Sequence, residues 1–192
     1  MECLSAGRGI SLPSNCAGGA KMVSRATGSY TQIRRQFGLP IGKFEGIHTP
    51  LSEIAGLTYM MDAIRTFTAG AVDQGYKPAV TSAIAKYHSP ESFRTIINHG
   101  MDVLAGAAIS KGPRNVLANP YMATPIGITV EGANILTRTL MIFGQGAIRC
   151  HPYVLKEVHA IEENDLGAFD TAFWGHIAHV LQNLIRITLL YL

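Results

Sequence analysis

Apolar side chains recur along most of the chain at intervals of three and four residues, which is the spacing of one face of an α-helix. Glycine and proline residues separate these stretches, and runs that alternate between apolar and polar residues are sparse. The pattern predicts long helices joined by short connections, and such helices pack as antiparallel neighbours. The expected fold class is therefore all-α, an antiparallel helical bundle.

Sequence signals mark the predicted ends of the helices in the first half of the chain. The first spans about residues 14–37 and ends at the segment FGLPIGKFEG. The second starts near HTPLSEIAG, where Thr49 would be the N-cap and Pro50 the first helical residue. Its apolar residues then step by three and four along a core-facing stripe made of Ile54, Leu57, Met61, Ile64, Thr68 and Ala71.

The second half continues with a third helix over about residues 78–104, which Pro90 should kink or divide. ISKGPRN is a predicted loop, a further helix follows Glu131 to about Gly144, and GQGAIRCHPYV is an irregular connector. After the polar break EENDLGAFD, the last helix finishes on LLYL with no polar cap and repeats apolar residues at Phe169, Phe173, Ile177, Val180, Leu184 and Leu189. We expect this apolar end to pack on something, as in a truncated sequence.

The composition narrows the function classes. Charged residues make up only 15% of the 192 residues, against roughly 25% in an average globular protein. A net charge of +3, with no basic run longer than Arg34-Arg35, argues against nucleic-acid binding. No apolar run reaches about 18 residues, and no signal-peptide pattern is present. With three scattered cysteines that suit reduced thiols, we expect a soluble cytoplasmic protein, free or peripheral at the inner membrane, without a transmembrane segment.

Several kinds of active site lack support in the sequence. The seven histidines have no metal-ligand spacing, because no carboxylate or cysteine lies one turn from His176 and His179. The chain also lacks a G-x-S-x-G elbow, a P-loop and a G-x-G-x-x-G motif after a strand. We therefore expect no metal site, hydrolase triad or nucleotide-binding loop of these types.

One carboxylate has an unusual setting. In ITVEGANILTRTL, residues 128–140, Glu131 stands between a β-branched apolar run and a predicted helix. An acid in apolar surroundings loses hydration and becomes a better proton acceptor near neutral pH, which suits a catalytic base. The alternative is structural, since a carboxylate at a helix start is stabilised by roughly 0.3–1 kcal/mol. Spacing alone favours the structural role and leaves both open.

Several segments together resemble the acyl-CoA dehydrogenase family. RRQFGLPIGKFEG is similar to its R-x-x-F-G-x-P-I segment, and ITVEGANILTR to its catalytic-glutamate segment. LSAGRGISLPS, AIAKYH and FGQGAIRCHPYVLKE resemble more narrowly the long bacterial members of fatty-acid β-oxidation, which carry an added C-terminal region. The resemblance covers nearly the whole chain. It implies the family's C-terminal helical bundle at residues 1–145 and the start of the added region, truncated, at residues 146–192.

What the resemblance implies chemically is FAD-dependent oxidation of a fatty acyl-CoA to a trans-2-enoyl-CoA. Glu131 would be the base that removes the α-proton, and N5 of the flavin would take the β-hydrogen as hydride. Arg8 matches an arginine that lies near the active site in relatives and would bind substrate. The alternative for Arg8 is a surface charge near the N-terminus.

Five residues match positions of the family that contact FAD: Arg34, Phe37, Glu45, Asp102 and Gly106. Arg34 suits a pyrophosphate through paired donors, although a cation at a helix end is favoured without any ligand. Glu45 and Asp102 stand where many relatives carry glutamine, and a carboxylate would repel a pyrophosphate. Gly106 alone remains of a glycine-rich turn, which reads LAGAA here, so that methyl groups would hold the cofactor further away.

The resemblance also implies partners. Electron-transfer flavoprotein would accept the electrons, and FAD contacts that cross subunits in the family imply a homo-oligomer. The missing domains and the altered LAGAA turn leave a second hypothesis open. In it, the chain is a non-catalytic, truncated helical bundle that acts as an oligomerisation or interaction module, and flavin binding discriminates between the two.

Overall fold

Helices dominate the computed structural model, which describes residues 2–191 and, for residues 2–6 and 140, the backbone only. The order is α1 (Glu2–Ile33), β1 (Arg35–Gln36), β2 (Leu39–Pro40), a 3₁₀ turn (Ile41–Lys43), α2 (Glu45–Asp73), α3 (Ala79–Leu104), α4 (Gly106–Ile109), α5 (Ala118–Thr129), α6 (Asn134–Leu136), a π-helical segment (Thr137–Gly144), α7 (Gln145–Cys150), α8 (Val154–Glu162) and α9 (Leu166–Leu190). The predicted all-α class is confirmed. The chain divides into two compact units, Met1–Arg138 and Thr139–Leu192.

The first unit is built on α1, α2 and α3. α1 and α2 are antiparallel, because Gly9 lies beside Thr68 at one end and Lys21 pairs with Asp62 further along, at 2.8 Å. The predicted stripe of α2 faces the core, with Ile54, Met61 and Thr68 buried. This part of the hydrophobic pattern was therefore sufficient to orient the helix.

Two glycines set the close approach of α1 and α3, which run parallel. A β-carbon at Gly19 would lie 2.7 Å from Cζ of Phe93, and one at Gly100 would lie 2.8 Å from Cγ1 of Val23. No real side chain tolerates such a separation, so the two helices can pack this closely only where glycine stands. The core between the helices includes Ala17, Ala20, Ile96, Ile97 and Leu117.

Prolines lie inside several helices without dividing them. Pro13 has no N–H to offer the carbonyl of Gly9, and the hydroxyl of Thr68 on α2 donates to that carbonyl instead, at 2.6 Å. Pro90 was expected to kink or divide the third helix, and the division is wrong, because α3 runs unbroken from Ala79 to Leu104. Packing on both sides of α3 holds the backbone where the local sequence would weaken it.

Several predicted boundaries were wrong. α1 starts at Glu2 rather than near residue 14 and ends at Ile33 rather than at residue 37. α2 starts at Glu45 with Phe44 as its N-cap, so Thr49 and Pro50 lie inside the helix. The apolar run before Glu131 is the end of α5, and residues 145–150 of the supposed connector form α7. The starts of α1 and α2 show that a helix in the bundle can extend through residues that would act as caps or breaks in isolation.

A short hairpin joins α1 to α2. Its two-residue strands pair as Arg35↔Pro40 and Gln36↔Leu39, and the turn between them has positive φ at both Phe37 (48°) and Gly38 (81°). Two such residues are what a mirror-image hairpin turn needs. The turn places Phe37 at the tip, where its side chain is 92% exposed.

In the second unit, α8 packs on α9. Asp165 caps α9 by accepting a hydrogen bond from the backbone N–H of Ala168, at 2.9 Å. The predicted apolar stripe of this helix stays largely exposed, with Leu184 at 61% and Leu189 at 68%. Leu192, the last residue of the LLYL end, lies outside the described residues.

Among residues 2–191, no single helix has both the length and the apolar character needed to cross a membrane. One bent pair, Ala118–Thr129 with Asn134–Cys150, reaches that length and composition when its two parts are taken together.

Candidate active site

Glu131 lies in a sharp turn between two helices. α5 ends at Thr129, Val130 is extended, and α6 begins at Asn134. Between them, Glu131 and Gly132 both have positive φ, 57° and 96°. Glycine adopts this region freely, whereas a residue with a β-carbon is strained there by roughly 1–3 kcal/mol. Such strain persists only where surrounding contacts hold the backbone.

Arg8 on α1 supplies one of these contacts. Its side chain is buried, at 4% exposed, and its Nε donates to the backbone carbonyl of Glu131 at 2.9 Å. Arg8 is therefore not a surface charge. The predicted substrate contact of Arg8 stays a prediction, while its contact with the turn gives it a structural role beside the candidate base.

The two carboxylate oxygens of Glu131 have different surroundings. Oε1 accepts a hydrogen bond from Oγ of Ser11 at 2.9 Å, whereas Oε2 is buried without a hydrogen-bond partner among the described residues. The Ser11 hydroxyl also lies 2.8 Å from the carbonyl oxygen of Gly7, so its one proton has two acceptors. Sequence reasoning missed Ser11, although its spacing from Arg8, three residues on a helix, places both on one face.

A cavity of about 610 Å³, here called the Glu131 pocket, lies beside this side chain. α1, α3 and α5 form its walls, which include Leu12, Cys16, Phe93 and Ile126. Apart from Glu131, none of the described residues lining the pocket is a carboxylate, lysine, arginine or histidine. The pocket is thus an apolar cleft with one acid in its wall.

Cys16 is the other titratable group in this wall. Burial raises the pKa of its thiol to about 11; the nearby charge of Lys86 opposes this shift and that of Glu131 adds to it. A thiol with this pKa stays protonated at neutral pH and is a poor nucleophile. The chemistry available at the pocket is therefore proton transfer at Glu131 rather than covalent attack.

A second cavity, of about 460 Å³, brings Arg34 together with Gly106. This Arg34 pocket has Tyr30 and Ile41 on one side and Ala105 and Ala107 on the other. Ala105 has a positive φ of 49°, and an added β-carbon at Gly106 would meet no other atom within 4 Å. The packing of this chain therefore does not require a glycine at residue 106.

The other candidate cofactor residues do not line the Arg34 pocket. Phe37 lies at the exposed tip of the hairpin, with its ring 6.3 Å from that of Phe44 in an edge-to-face contact. Glu45 is the exposed first residue of α2, and Asp102 is exposed on α3. Their FAD contacts stay predictions.

The Arg34 pocket fits one edge of a phosphate-bearing cofactor. Its lining includes one cation, small side chains and, among the described residues, no carboxylate that would repel an anion. A guanidinium pairs well with phosphate oxygens. These residues would contact part of an FAD molecule.

The second unit holds a cluster of aromatic and histidine rings that sequence spacing missed. The rings of His151 and His176 are 4.3 Å apart, His179 lies 5.3 Å from His151, and His176 Nδ1 is 2.8 Å from Oε1 of Glu157. Burial and the two neighbouring histidines lower the pKa of His151. No group of three or more potential metal ligands with suitable geometry occurs within the described part of the chain.

Known proteins resemble both parts of the chain. The family model for the acyl-CoA dehydrogenase C-terminal domain matches residues 1–142, and the model for the bacterial-type acyl-CoA dehydrogenase C-terminal region matches residues 148–192. The probable acyl-CoA dehydrogenase FadE10 of Mycobacterium tuberculosis is 33% identical over 92 residues, which cover 47% of this chain and 14% of FadE10.

Solved structures agree with these matches. A glutaryl-coenzyme A dehydrogenase in complex with glutaryl-CoA superimposes with a TM-score of 0.67 at 26% identity, over 76% of this chain and 36% of that one. The FAD complex of PigA superimposes with a TM-score of 0.64 at 18% identity, over 71% and 35% of the two chains. The chain therefore spans about a third of the length of these relatives. It belongs to the acyl-CoA dehydrogenase family, whose C-terminal helical domain and bacterial-type C-terminal region it carries.

Proposed function

We propose that this chain supplies the catalytic base and one wall of the acyl pocket of an FAD-dependent acyl-CoA dehydrogenase that oxidises fatty acyl-CoA to trans-2-enoyl-CoA. The observation that carries the proposal is Oε2 of Glu131, a buried oxygen at the wall of an apolar pocket with no hydrogen-bond partner among the described residues. A buried polar atom left unpaired is costly, and a catalytic role is one of the reasons that such an atom persists. The α-proton of a bound thioester would give that oxygen its partner.

The residues around Glu131 support a base that is held in place before substrate arrives. Ser11 binds Oε1 and leaves Oε2 for the proton, while Arg8 holds the backbone carbonyl of the same residue. The FAD, when bound, would accept the β-hydrogen as hydride. The chain's own part is to hold the acyl chain in a water-poor cleft and to remove the α-proton.

A fatty acyl group suits the lining better than a charged one. Glutaryl-CoA, the ligand of the solved relative, ends in a carboxylate, which needs a cation or several donors when it is buried. The described residues that line the Glu131 pocket include no lysine, arginine or histidine. We therefore assign an aliphatic acyl chain to this pocket.

The expected cofactor would contact the Arg34 pocket, and the expected partners come from the family resemblance. FAD bound there would also contact another copy of the chain in a homo-oligomer, as the family resemblance implies. Electron-transfer flavoprotein would take the electrons from the reduced cofactor. A colourless chain that oligomerises but is not reconstituted by FAD would favour the alternative of an interaction module.

Proton abstraction can be tested apart from oxidation. In 3-thiaoctanoyl-CoA sulfur replaces the β-carbon and bears no hydrogen, so no hydride can leave and loss of the α-proton is seen alone. We expect the chain to exchange the α-hydrogens of this probe for deuterium in D₂O, followed by mass spectrometry. Glu131→Gln should slow the exchange by about 10²–10⁴-fold, as expected on removal of a general base.

The matched control is Glu162→Gln, which changes an exposed glutamate at the end of α8. It should leave the exchange rate unchanged. Exchange that persists at the wild-type rate in Glu131→Gln would remove Glu131 from its proposed role.

A further inference from the structure

Lys86 on α3 holds the Glu131 turn from another side. Its side chain is fully buried, at 0% exposed, and it does not line the Glu131 pocket. An ammonium group loses its hydration on burial, so a fully buried lysine is rare unless it is paired or serves the site. The proposed proton transfer does not use it.

The contacts of Lys86 flank the turn symmetrically. Its Nζ donates to the backbone carbonyl of Ile128, at 3.2 Å, and to Oδ1 of Asn134. Ile128 is in the last turn of α5, where carbonyls lack helical donors and a cation is favoured. The two acceptors stand three residues before and three residues after Glu131.

Asn134 completes the attachment to α3. Its side chain is 4% exposed, and its Nδ2 donates to the backbone carbonyl of Tyr87 at 3.2 Å and to Oε1 of Glu91 at 3.0 Å. Both polar atoms of the carboxamide therefore bind groups of α3. The residue that starts α6 is thus tied to the helix that carries Lys86.

We infer that Lys86 and Asn134 form a clamp that positions Glu131 for proton abstraction. α3 holds both ends of the turn, and the strained backbone between them, with positive φ at Glu131 and Gly132, is thereby kept in one path. The inference rests on the proposed function, in which Glu131 is the base. Lys86 is a positioning residue, because it contacts the turn and Asn134 rather than substrate.

The electrostatics agree with this arrangement. Burial and the nearby Arg8 charge lower the pKa of Lys86, and the carboxylates of Glu131 and Glu91 oppose that shift. The ammonium of Lys86 is therefore close enough to the candidate base for their charges to interact. A lysine that served only to fill the core would have no need of its charge, and a methionine would fill the same space.

The test uses Lys86→Met in the full chain, with α-hydrogen exchange of 3-thiaoctanoyl-CoA as the readout. We expect exchange to slow on the order of 100-fold while the affinity for the probe is unchanged, because a base displaced by about 1 Å loses rate without loss of binding. The amide resonance of Gly132 should move in the same variant. Asn134→Leu should slow exchange to a similar degree, and the double variant should add little, since both remove one clamp.

Lys21→Met is the matched control. Lys21 is an exposed lysine of the same bundle, paired with Asp62 at 2.8 Å. Exchange and the Gly132 resonance should be unaffected in this variant. Circular dichroism checks folding, and Asn134→Ser, which shortens the clamp without removing Lys86, carries the test if Lys86→Met does not fold.

The outcomes separate the two proposals. If Glu131→Gln exchanges at the wild-type rate, the proposed function fails, whatever Lys86 does. If Glu131→Gln is inactive while folded Lys86→Met or Asn134→Ser exchanges at the wild-type rate, the clamp is overturned and the function stands. An equal loss of probe affinity and exchange rate would also overturn the clamp, because it would mean a collapsed pocket.

Discussion

The Glu131 pocket and the Arg34 pocket lie in the same helical unit and are built in opposite ways. Beside the first, Arg8 and Lys86 are buried and hydrogen-bonded to the backbone around the candidate base. In the second, Arg34 is exposed, and Phe37 stands 92% exposed on a hairpin nearby in the chain. One pocket is organised by this chain alone, and the other presents residues to a ligand or a neighbouring molecule.

The difference indicates which step of the proposed reaction is organised by residues of this bundle alone. Buried neighbours that are hydrogen-bonded to the backbone hold an acid in one geometry before substrate binds. Proton abstraction needs such a fixed geometry. An exposed cation on an open surface contributes to a ligand without orienting it by itself. We therefore expect changes at the first pocket to disturb folding and proton transfer, and changes at the second to disturb cofactor binding only.

The largest difference is expected between Arg8→Met and Arg34→Met. Loss of Arg8 removes a buried charged donor from the Glu131 carbonyl and should lower the free energy of unfolding by about 2–3 kcal/mol. Arg34→Met, at an exposed site, should change it by less than about 0.5 kcal/mol. Urea denaturation followed by circular dichroism measures both. Equal losses would contradict the contrast between the two pockets.

A pH effect of similar size should come from Cys16. Its folded pKa is raised from 9.0 to about 11. Below pH 9 the thiol is protonated in both states and has no effect. Between pH 9 and 11 only the unfolded thiol ionises, so stability falls with rising pH, by about 3 kcal/mol in total. Urea denaturation at stepped pH should detect the fall.

Two variants isolate that effect. Cys16→Ala should remove the alkaline loss, because no thiol is left in the pocket wall. Cys150→Ala, at an exposed cysteine, should keep it. An alkaline loss that is the same in both variants would mean that Cys16 is not its source.

Arg34, whose loss should hardly change stability, should contribute to the affinity for FAD. Arg34→Met should weaken FAD binding about tenfold, the effect of losing about 1.4 kcal/mol of charge-assisted contact with a phosphate. Arg35→Met is the control, because Arg35 donates to the carbonyl of Gly38 within the hairpin, at 2.8 Å. Flavin fluorescence titration measures both constants. A similar loss in both variants would indicate a general effect of charge.

The smallest contrast is between two glycines. Gly132 has a φ of 96°, so Gly132→Ala should cost about 1 kcal/mol of stability and slow α-hydrogen exchange. Gly106→Ala should be neutral or stabilise slightly, because nothing within 4 Å would meet the new methyl group. Thermal unfolding measures the difference. A larger loss of stability in Gly106→Ala than in Gly132→Ala would place the strained turn at the Arg34 pocket instead.

Much of the fold could be predicted from the hydrophobic pattern. The stripe of α2 faces the core at Ile54 and Met61 because a helix with one apolar face must bury it. The starts of α1 and α2 could not be predicted in the same way. A cap such as Thr49 contributes only about 1 kcal/mol, and the packing of neighbouring helices outweighs it.

Less of the candidate site could be predicted. Glu131 was distinguished by its apolar neighbours and by resemblance to a family, and Arg8 by resemblance alone. Ser11, Lys86 and Asn134 lie inside segments that resemble the family, but nothing in those segments indicates what their side chains contact. Lys86 stands 42 residues from Ile128 and 48 from Asn134 along the chain, and no local pattern encodes contacts over such separations.

The sequence by itself determined the helical class, the core-facing stripe of α2, the family, and the acid at residue 131, because each depends on local periodicity or on a contiguous motif. Only the tertiary structure decided that Arg8 is buried against the Glu131 carbonyl, that Oε2 of Glu131 has no partner within the described part of the chain, and that α3 holds both ends of its turn. The physical reason is the separation in sequence between the residues that are in contact. Periodicity decides which face of a helix is buried, whereas the burial and pairing of a charge depend on residues that the fold brings together from distant parts of the chain.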